Sequence, residues 1–218
     1  MARSSTATVV KFRPRPSRPP AFGSGLPPPG GDEKHEPIIS NGRLAVLALI
    51  ASESMLFSGL IGSFLVFKLG APFWPPPALP RLPLTLTWIN TLVLSSSAVT
   101  MALAAHAMRK VRGRRYVFLI GITLALGATF LAVQGTEWVR LIAHGLRISS
   151  GTYGATFYTL IGCHGLHVIG AVLWLAWIFY GAATGRYHSR NRAALEACAI
   201  YWYFVCAIWP LLFVLVYL

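Results

Sequence analysis

The sequence predicts an all-α, polytopic membrane protein built as a bundle of five transmembrane helices. The chain of 218 residues is 55% hydrophobic and only 11% charged, which is too apolar for an ordinary soluble domain. Five apolar segments are each long enough to cross about 30 Å of hydrocarbon as a helix. The strict alternation of polar and apolar residues that a membrane β-barrel requires is absent from the sequence.

The predicted spans are separated by segments that interrupt helices. The first ends before the proline-rich GAPFWPPPALPRLP, the second at the basic RKVRGRR, the third at RLIAHGLRISSG and the fourth at GAATGRYHSRNR, and the fifth runs to the C-terminus. These limits place the spans near residues 43–68, 83–107, 116–139, 153–180 and 195–218. Residues 1–42 are rich in Pro, Gly and Arg, and we expect a disordered basic tail because this composition cannot bury a core.

Basic residues are distributed along the chain in a way that predicts its orientation. The tail through Arg43 holds seven Lys or Arg residues, RKVRGRR holds five, and the loop with Arg186, Arg190 and Arg192 holds three. Five crossings place these fifteen residues on one face of the membrane, opposite only four others. The N-terminus is therefore predicted in the cytoplasm and the C-terminus outside. Because the charge follows topology and no nucleic-acid motif is present, we expect no nucleic-acid partner.

Only three acidic residues follow residue 40, and all three fall in predicted spans: Glu53, Glu137 and Glu196. A charge at the bilayer centre costs about 3 kcal/mol even on insertion scales, so such residues indicate function or specific pairing. Glu53 lies deepest, and the neighbouring Ser52 and Ser54 are expected to offer hydroxyl groups. Two interpretations stay open for Glu53: a hydrogen bond between helices, or proton exchange with a conduction path.

The fourth span contains two histidines in GCHGLHVIG, and we expect both to make polar contacts within the bundle. His164 and His167 are three residues apart, hence on neighbouring positions of one helix. His167 lies at a depth similar to that of Glu53, so the two side chains can meet. Glu137 ends the third span beside Trp138 and Arg140, which favours an anchor at the membrane interface with a nearby charge partner.

Glu196 opens the last span, where a carboxylate favours the positive end of a helix and faces cytoplasmic arginines. The three cysteines, Cys163, Cys198 and Cys206, lie in apolar stretches without zinc-type spacing, so we expect no metal site. Haem ligation would need histidines at matched depth on two facing helices. A haem-carrying membrane anchor or a small transporter is the alternative from a different functional class.

Five motifs occur in an order that resembles subunit III of haem–copper oxidases, the cytochrome c oxidase subunit III family. They are ESMLFSGLIGSFLVF, LPLTLTWINTLVLSSSAVTMA, LALGATFLAVQGTEW, GATFYTLIGCHGLHVIGAVLWL and EACAIYWYFVCAIWPLLFVLVYL. The resemblance covers residues 43–218. Full-length members of the family have seven spans, whereas five are predicted here. The resemblance therefore implies the short five-helix form, which begins at the family's third span.

The resemblance also implies what the chain does. It implies an accessory subunit, without catalytic activity of its own, in a proton-pumping respiratory complex that oxidises cytochrome c and reduces oxygen. Haem and copper are expected in subunit I, with further copper in subunit II, and none in this chain. Expected partners are subunit I, other oxidase subunits, structural phospholipid and a larger respiratory supercomplex. The expected location is a bacterial-type inner membrane.

Individual residues match the family's motifs, and two depart from them. The resemblance places Glu53 on the family's buried carboxylate, which reacts with hydrophobic carbodiimides, and His164 and His167 on its HGLH pair. In YWYFVC, Tyr203 and Cys206 replace the histidine and aspartate that relatives usually carry. This departure keeps a second interpretation open, a partner of a quinol oxidase or a nitric oxide reductase.

Overall fold

Five long helices make up the computed structural model, which describes residues 41–76, 84–109, 113–184 and 192–218. They are α1 (Asn41–Gly70), α2 (Leu84–Arg109), α3 (Gly113–Ala143), α4 (Thr152–Ala183) and α5 (Arg192–Tyr217). The described residues all belong to the second of two units of the chain, Pro37–Leu218. Apart from Asn41 and Gly42, which begin α1, the predicted tail lies outside the described residues.

Each helix is long and apolar enough to cross a membrane, which confirms the predicted all-α, five-helix fold class. The helix α3 is longer than its predicted span of 116–139 at both ends. Its only added glycine, Gly113, is the first residue of the helix, where glycine costs less than in the interior, and RLIA at the other end contains neither glycine nor proline. The in/out orientation of the two termini stays a prediction.

Polar residues inside the helices bond to their own backbone. Ser54, Ser58 and Ser63 each donate a hydroxyl hydrogen bond to the carbonyl four residues earlier, at 2.7 to 2.9 Å, which satisfies these groups in an apolar surrounding. The helix α3 ends at Ala143 and is closed by Gly145, whose φ of 93° suits glycine. Its N–H and that of Leu146 donate to the carbonyls of α3's last turn, which is the Schellman arrangement.

The core of the bundle surrounds α5. This helix packs against α1, α2 and α4, while α3 lies between α2 and α4. Half of the most apolar window of α5 is buried, compared with 11% for α1. The indole of Trp202 approaches α3 so closely that a Cβ at Gly127 would lie 2.5 Å from it. The central position of α5 therefore depends on a residue without a side chain at that point of α3.

Candidate functional site

Glu53 and His167 form a contact between α1 and α4. The Glu53 Oε2 atom lies 2.5 Å from His167 Nε2, and the two side chains are 17% and 15% exposed. The Phe57 ring covers the imidazole edge-on, with ring centroids 5.1 Å apart. Glu53 is the thirteenth of 30 residues in α1, and His167 the sixteenth of 32 in α4, so the pair lies near mid-helix.

The other imidazole nitrogen determines how many protons this pair holds. His167 Nδ1 lies 2.6 Å from the carbonyl oxygen of Cys163. A carbonyl can only accept, so Nδ1 carries a proton and donates it. The Nε2 atom then either accepts from a protonated Glu53 or donates to its carboxylate. In both cases one proton is shared between the two side chains and their summed charge is zero, which lowers the cost of burial in lipid.

Ser52 and Ser54 do not supply hydrogen bonds to Glu53, contrary to the expectation from their position beside it. The Ser52 hydroxyl donates to the carbonyl of Leu49 and the Ser54 hydroxyl to that of Ile50, both at 2.7 Å. Adjacent residues of a helix point about 100° apart, so neither hydroxyl faces the carboxylate. Both hydroxyl groups therefore bond to the backbone of α1 and not to the Glu53 carboxylate.

His164 is buried, only 1% exposed, but it differs from the predicted polar contact. Its ring stacks on the indole of Trp209, with centroids 5.1 Å apart and planes inclined by 27°. Phe57 and Phe130 approach it edge-on. Within the described part of the chain, neither ring nitrogen of His164 has a hydrogen-bond partner. Side chains three residues apart on a helix differ by about 60° in direction, so His164 does not point in the direction of His167. It points towards the aromatic core formed by Phe57, Phe130 and Trp209.

A second cluster surrounds Glu137, which is 0% exposed. The Tyr217 hydroxyl donates to Glu137 Oε1 at 3.0 Å. Thr87 and Gln134 also donate to the carboxylate, at 3.4 to 3.5 Å. The Asn90 amide donates to the carbonyl of Phe130 at 3.2 Å and lies 3.5 Å from Gln134 Oε1. The cluster therefore joins α2, α3 and α5 near the end of the bundle where α3 terminates.

The position of Glu137 differs from the expected interface anchor beside Arg140. Arg140 is exposed, whereas Glu137 is buried in the bundle. The hydrogen bonds to its carboxylate come from Tyr217, Thr87 and Gln134. Sequence reasoning missed Thr87, Asn90 and Tyr217. The sequence feature that could have indicated this cluster is Asn90 in TWINTL, since an amide within an apolar span needs hydrogen-bond partners on neighbouring helices.

Glu196 joins three helices at the opposite end of the bundle. Its Oε2 atom contacts the Arg43 guanidinium of α1, and its Oε1 atom lies 3.7 Å from Arg109 Nε of α2. The structure thus places Glu196 beside one arginine of α1 and one of α2. The three side chains are 17%, 40% and 65% exposed, so water screens these attractions and each contributes little by itself.

The two positions that depart from the family motif lie on α5. The Cys206 thiol is buried 3.7 Å from the Ser97 hydroxyl and 3.8 Å from the Leu94 carbonyl oxygen. Ser97 also accepts the Trp202 indole N–H at 3.1 Å. Tyr203 is partly buried. A buried thiol behaves as a small apolar residue, so Cys206 fits among these groups of α2.

The comparisons with known proteins agree with this architecture. The model of the family described as cytochrome c oxidase subunit III matches residues 31–218. The chain belongs to the cytochrome c oxidase subunit III family. A protein from Synechocystis sp. named cytochrome c oxidase subunit 3 is 32% identical, over 98% of this chain and 92% of that protein. Proteins of the same name from Thermostichus vulcanus and Raphicerus campestris are 36% and 35% identical, over 80% and 84% of this chain and 86% and 72% of theirs.

Membership of this family makes the chain a multi-pass membrane protein of the respiratory electron-transport chain. It also identifies the chain as an accessory subunit of a terminal oxidase, with other oxidase subunits as partners. The cofactors of such an oxidase lie in other subunits. Among the residues that the structure describes, no three His, Cys, Asp or Glu side chains are grouped so that they could hold a metal ion.

Proposed function

We propose that the chain is a non-redox accessory subunit that stabilises subunit I of a proton-pumping cytochrome c:O2 oxidoreductase. The family match over residues 31–218 carries this proposal. The polar contacts support it, because all three carboxylates of the spans are used to join helices of the bundle. We place the complex in a bacterial-type inner membrane, with the N-terminus cytoplasmic, the C-terminus outside, and the complex free to join a larger respiratory assembly.

Purification of the chain with its partners tests this proposal directly. A tagged chain solubilised in mild detergent is expected to carry subunit I with it, together with the haem and copper absorption of that subunit. A chain that purifies alone refutes the proposal, and a Soret band in the isolated polypeptide would indicate a haem-carrying anchor instead. A quinol oxidase or a nitric oxide reductase as the co-purifying complex would support the second interpretation, which the altered YWYFVC motif favours.

The Glu53–His167 contact has two candidate roles in this subunit. In the first, it holds α1 against α4 as a neutral hydrogen-bonded pair, which the arrangement of protons favours. In the second, it supports proton uptake, for which the partial exposure of both side chains is the favourable observation. We assign the first role, because the segment RKVRGRR and its basic neighbours on the predicted cytoplasmic face disfavour a surface that collects protons.

A third function is to hold phospholipid, which the family resemblance implies and the outward surface supports. Large apolar side chains are exposed on the helices, with Met55 79%, Leu69 83% and Trp177 75% exposed. Lipid tails and partner helices are the surroundings in which such side chains are stable. The expected finding is phospholipid that stays with the purified complex after extensive detergent washing.

A further inference from the structure

A groove runs between α3 and α4, lined by these two helices and by the connection between them. Its volume is about 810 Å³, within the range of about 300–1,000 Å³ for pockets that enclose drug-sized molecules. Its walls are almost entirely apolar and include Leu131, Gly135 and Ile142 of α3 and Gly162, Leu166 and Ile169 of α4. Three of its lining residues are glycines, Gly135, Gly162 and Gly165, whose missing side chains leave space between the two helices.

The length of the groove matches one leaflet of a bilayer. Along α3 it extends from Leu131 to Ile142, eleven residues or about 16 Å of helix. Along α4 it extends over the same distance, from Tyr158 to Ile169. Half of a hydrocarbon core of about 30 Å is about 15 Å. The groove therefore starts at one membrane surface and ends near the centre, as an acyl chain does.

A cationic side chain lies at the surface end of this groove. Arg147 lines it, is exposed, and belongs to the connection between α3 and α4. Within the described part of the chain its guanidinium has no carboxylate partner at ion-pair distance, because the three described glutamates pair elsewhere. An unpaired guanidinium at the depth of lipid headgroups attracts a phosphate.

The connection that carries Arg147 is held in one position by hydrogen bonds. The backbone N–H of Arg147 donates to the Ser150 hydroxyl at 2.9 Å, and that hydroxyl donates to the carbonyl of Gly145 at 2.9 Å. The Tyr158 hydroxyl donates to the carbonyl of Leu146 at 2.8 Å. A Cβ on residue 154 would lie 2.1 Å from the Arg147 carbonyl oxygen, so only Gly154 permits this approach. The guanidinium is thus attached to a backbone ordered before any ligand arrives.

We propose that this groove binds one diacyl phospholipid, with its acyl chains along α3 and α4 and its phosphate at Arg147. A phospholipid fits both ends of the site, because its acyl chains suit the apolar groove and its phosphate suits the Arg147 guanidinium. An apolar helix of a partner subunit in the groove would cover the guanidinium without neutralising its charge. This inference rests on the proposed lipid-holding function and adds to it a site, a headgroup ligand and a leaflet.

Matched variants of the assembled oxidase test the headgroup contact. Arg147→Gln removes the charge, and Arg140→Gln is its control, since Arg140 is also exposed at this end of α3 but does not line the groove. With phosphatidylglycerol in nanodiscs as the probe, Arg147→Gln is expected to weaken lipid retention about fivefold, the usual attraction of one basic residue to an anionic headgroup. Arg140→Gln is expected to retain the lipid as the unchanged chain does.

Filling the groove tests the acyl-chain site. Gly135→Leu places a side chain in the groove where a Cβ meets nothing within 4 Å, so the helix is not strained. Gly170→Leu is the control, because Gly170 is exposed on α4, has the same free space and does not line the groove. Native mass spectrometry of the complex is expected to show one phospholipid fewer for Gly135→Leu only.

Labelling distinguishes a lipid from other occupants. A phosphatidylglycerol with a diazirine at the end of one chain is expected to label peptides containing Leu131 or Ile169, and a diazirine near the glycerol to label the peptide containing Ile148. Equal lipid retention by all four variants, or a cross-link from the groove to a helix of another subunit, overturns the proposal. Because these assays use the assembled oxidase, loss of assembly reports on the proposed function and not on the lipid site.

Discussion

Replacing Glu53 by Gln is expected to leave both assembly and oxygen consumption close to those of the unchanged complex. His167 keeps its Nδ1 proton on the Cys163 carbonyl, so its Nε2 atom can accept a hydrogen bond from the new amide. The number of hydrogen bonds between α1 and α4 then stays the same. Interhelical hydrogen bonds in membranes contribute about 0.6 kcal/mol on average, so the change in stability is expected below that value.

Replacing Glu53 by Leu removes the contact and is expected to cost more. The upper measured value for such bonds is about 1.7 kcal/mol, which corresponds to about a twentyfold change in an equilibrium constant. The double variant Glu53→Leu with His167→Leu is expected to recover most of this loss, because no polar group is then left unpaired. The measurement is the fraction of the chain that stays with the purified complex after heating to a series of temperatures.

One outcome would refute the interpretation that the proton shared by Glu53 and His167 only holds α1 against α4 and is not exchanged. If Glu53→Gln stayed assembled through the temperature series but lost activity during sustained turnover, exchange of the proton would be required and packing would not suffice. Oxygen consumption followed over many turnovers, at matched subunit content, separates the two results. A double variant no more stable than Glu53→Leu alone would likewise show that the two side chains are not coupled.

Two further substitutions test packing elsewhere in the bundle. Tyr217→Phe removes the donor at 3.0 Å from Glu137 and is expected to cost about 1 kcal/mol of stability, measured as a lower temperature of thermal release from the complex. Gly127→Ala places a methyl group 2.5 Å from the Trp202 ring and is expected to cost about 1–3 kcal/mol through overpacking, by the same measurement.

Each of these substitutions has a control on the same kind of residue. Tyr180→Phe changes a tyrosine that is 61% exposed on α4 and should leave the release temperature unchanged. Gly135→Ala adds a methyl group where a Cβ meets nothing within 4 Å, and it should be neutral too. If a variant and its control shifted equally, the contacts assigned to Glu137 and Trp202 would not be the cause.

The five helices could be predicted because each span is a long apolar run with breakers at its ends, and hydrophobicity is the signal that decides insertion. The contact of Glu53 with His167 was foreseeable for a related reason. Depth along a span can be counted from its ends, and two polar groups at equal depth in neighbouring helices lower their cost by meeting.

The partners of Glu137 could not be predicted, because its neighbours depend on how each helix is rotated about its axis. A soluble helix shows its buried face by an apolar stripe, but a membrane helix is apolar all round and lacks that signal. Tyr217 and Thr87 face Glu137 only because α2 and α5 are turned that way. The same reason explains His164, whose direction towards Trp209 depends on the rotation of α4.

The three carboxylates of the spans lie at three levels of the bundle, and together their contacts include every helix. Glu196 joins α5 to α1 and α2 at one end, Glu53 joins α1 to α4 near the middle, and Glu137 joins α3 to α2 and α5 at the other end. Lipid tails are as apolar as leucine, so helices in a membrane gain little from apolar contact alone and depend on close packing and polar links. Carboxylates that all bridge helices, while the Lys and Arg side chains that the structure describes stay outside the core, fit the proposed role of a subunit that keeps its shape beside a catalytic neighbour.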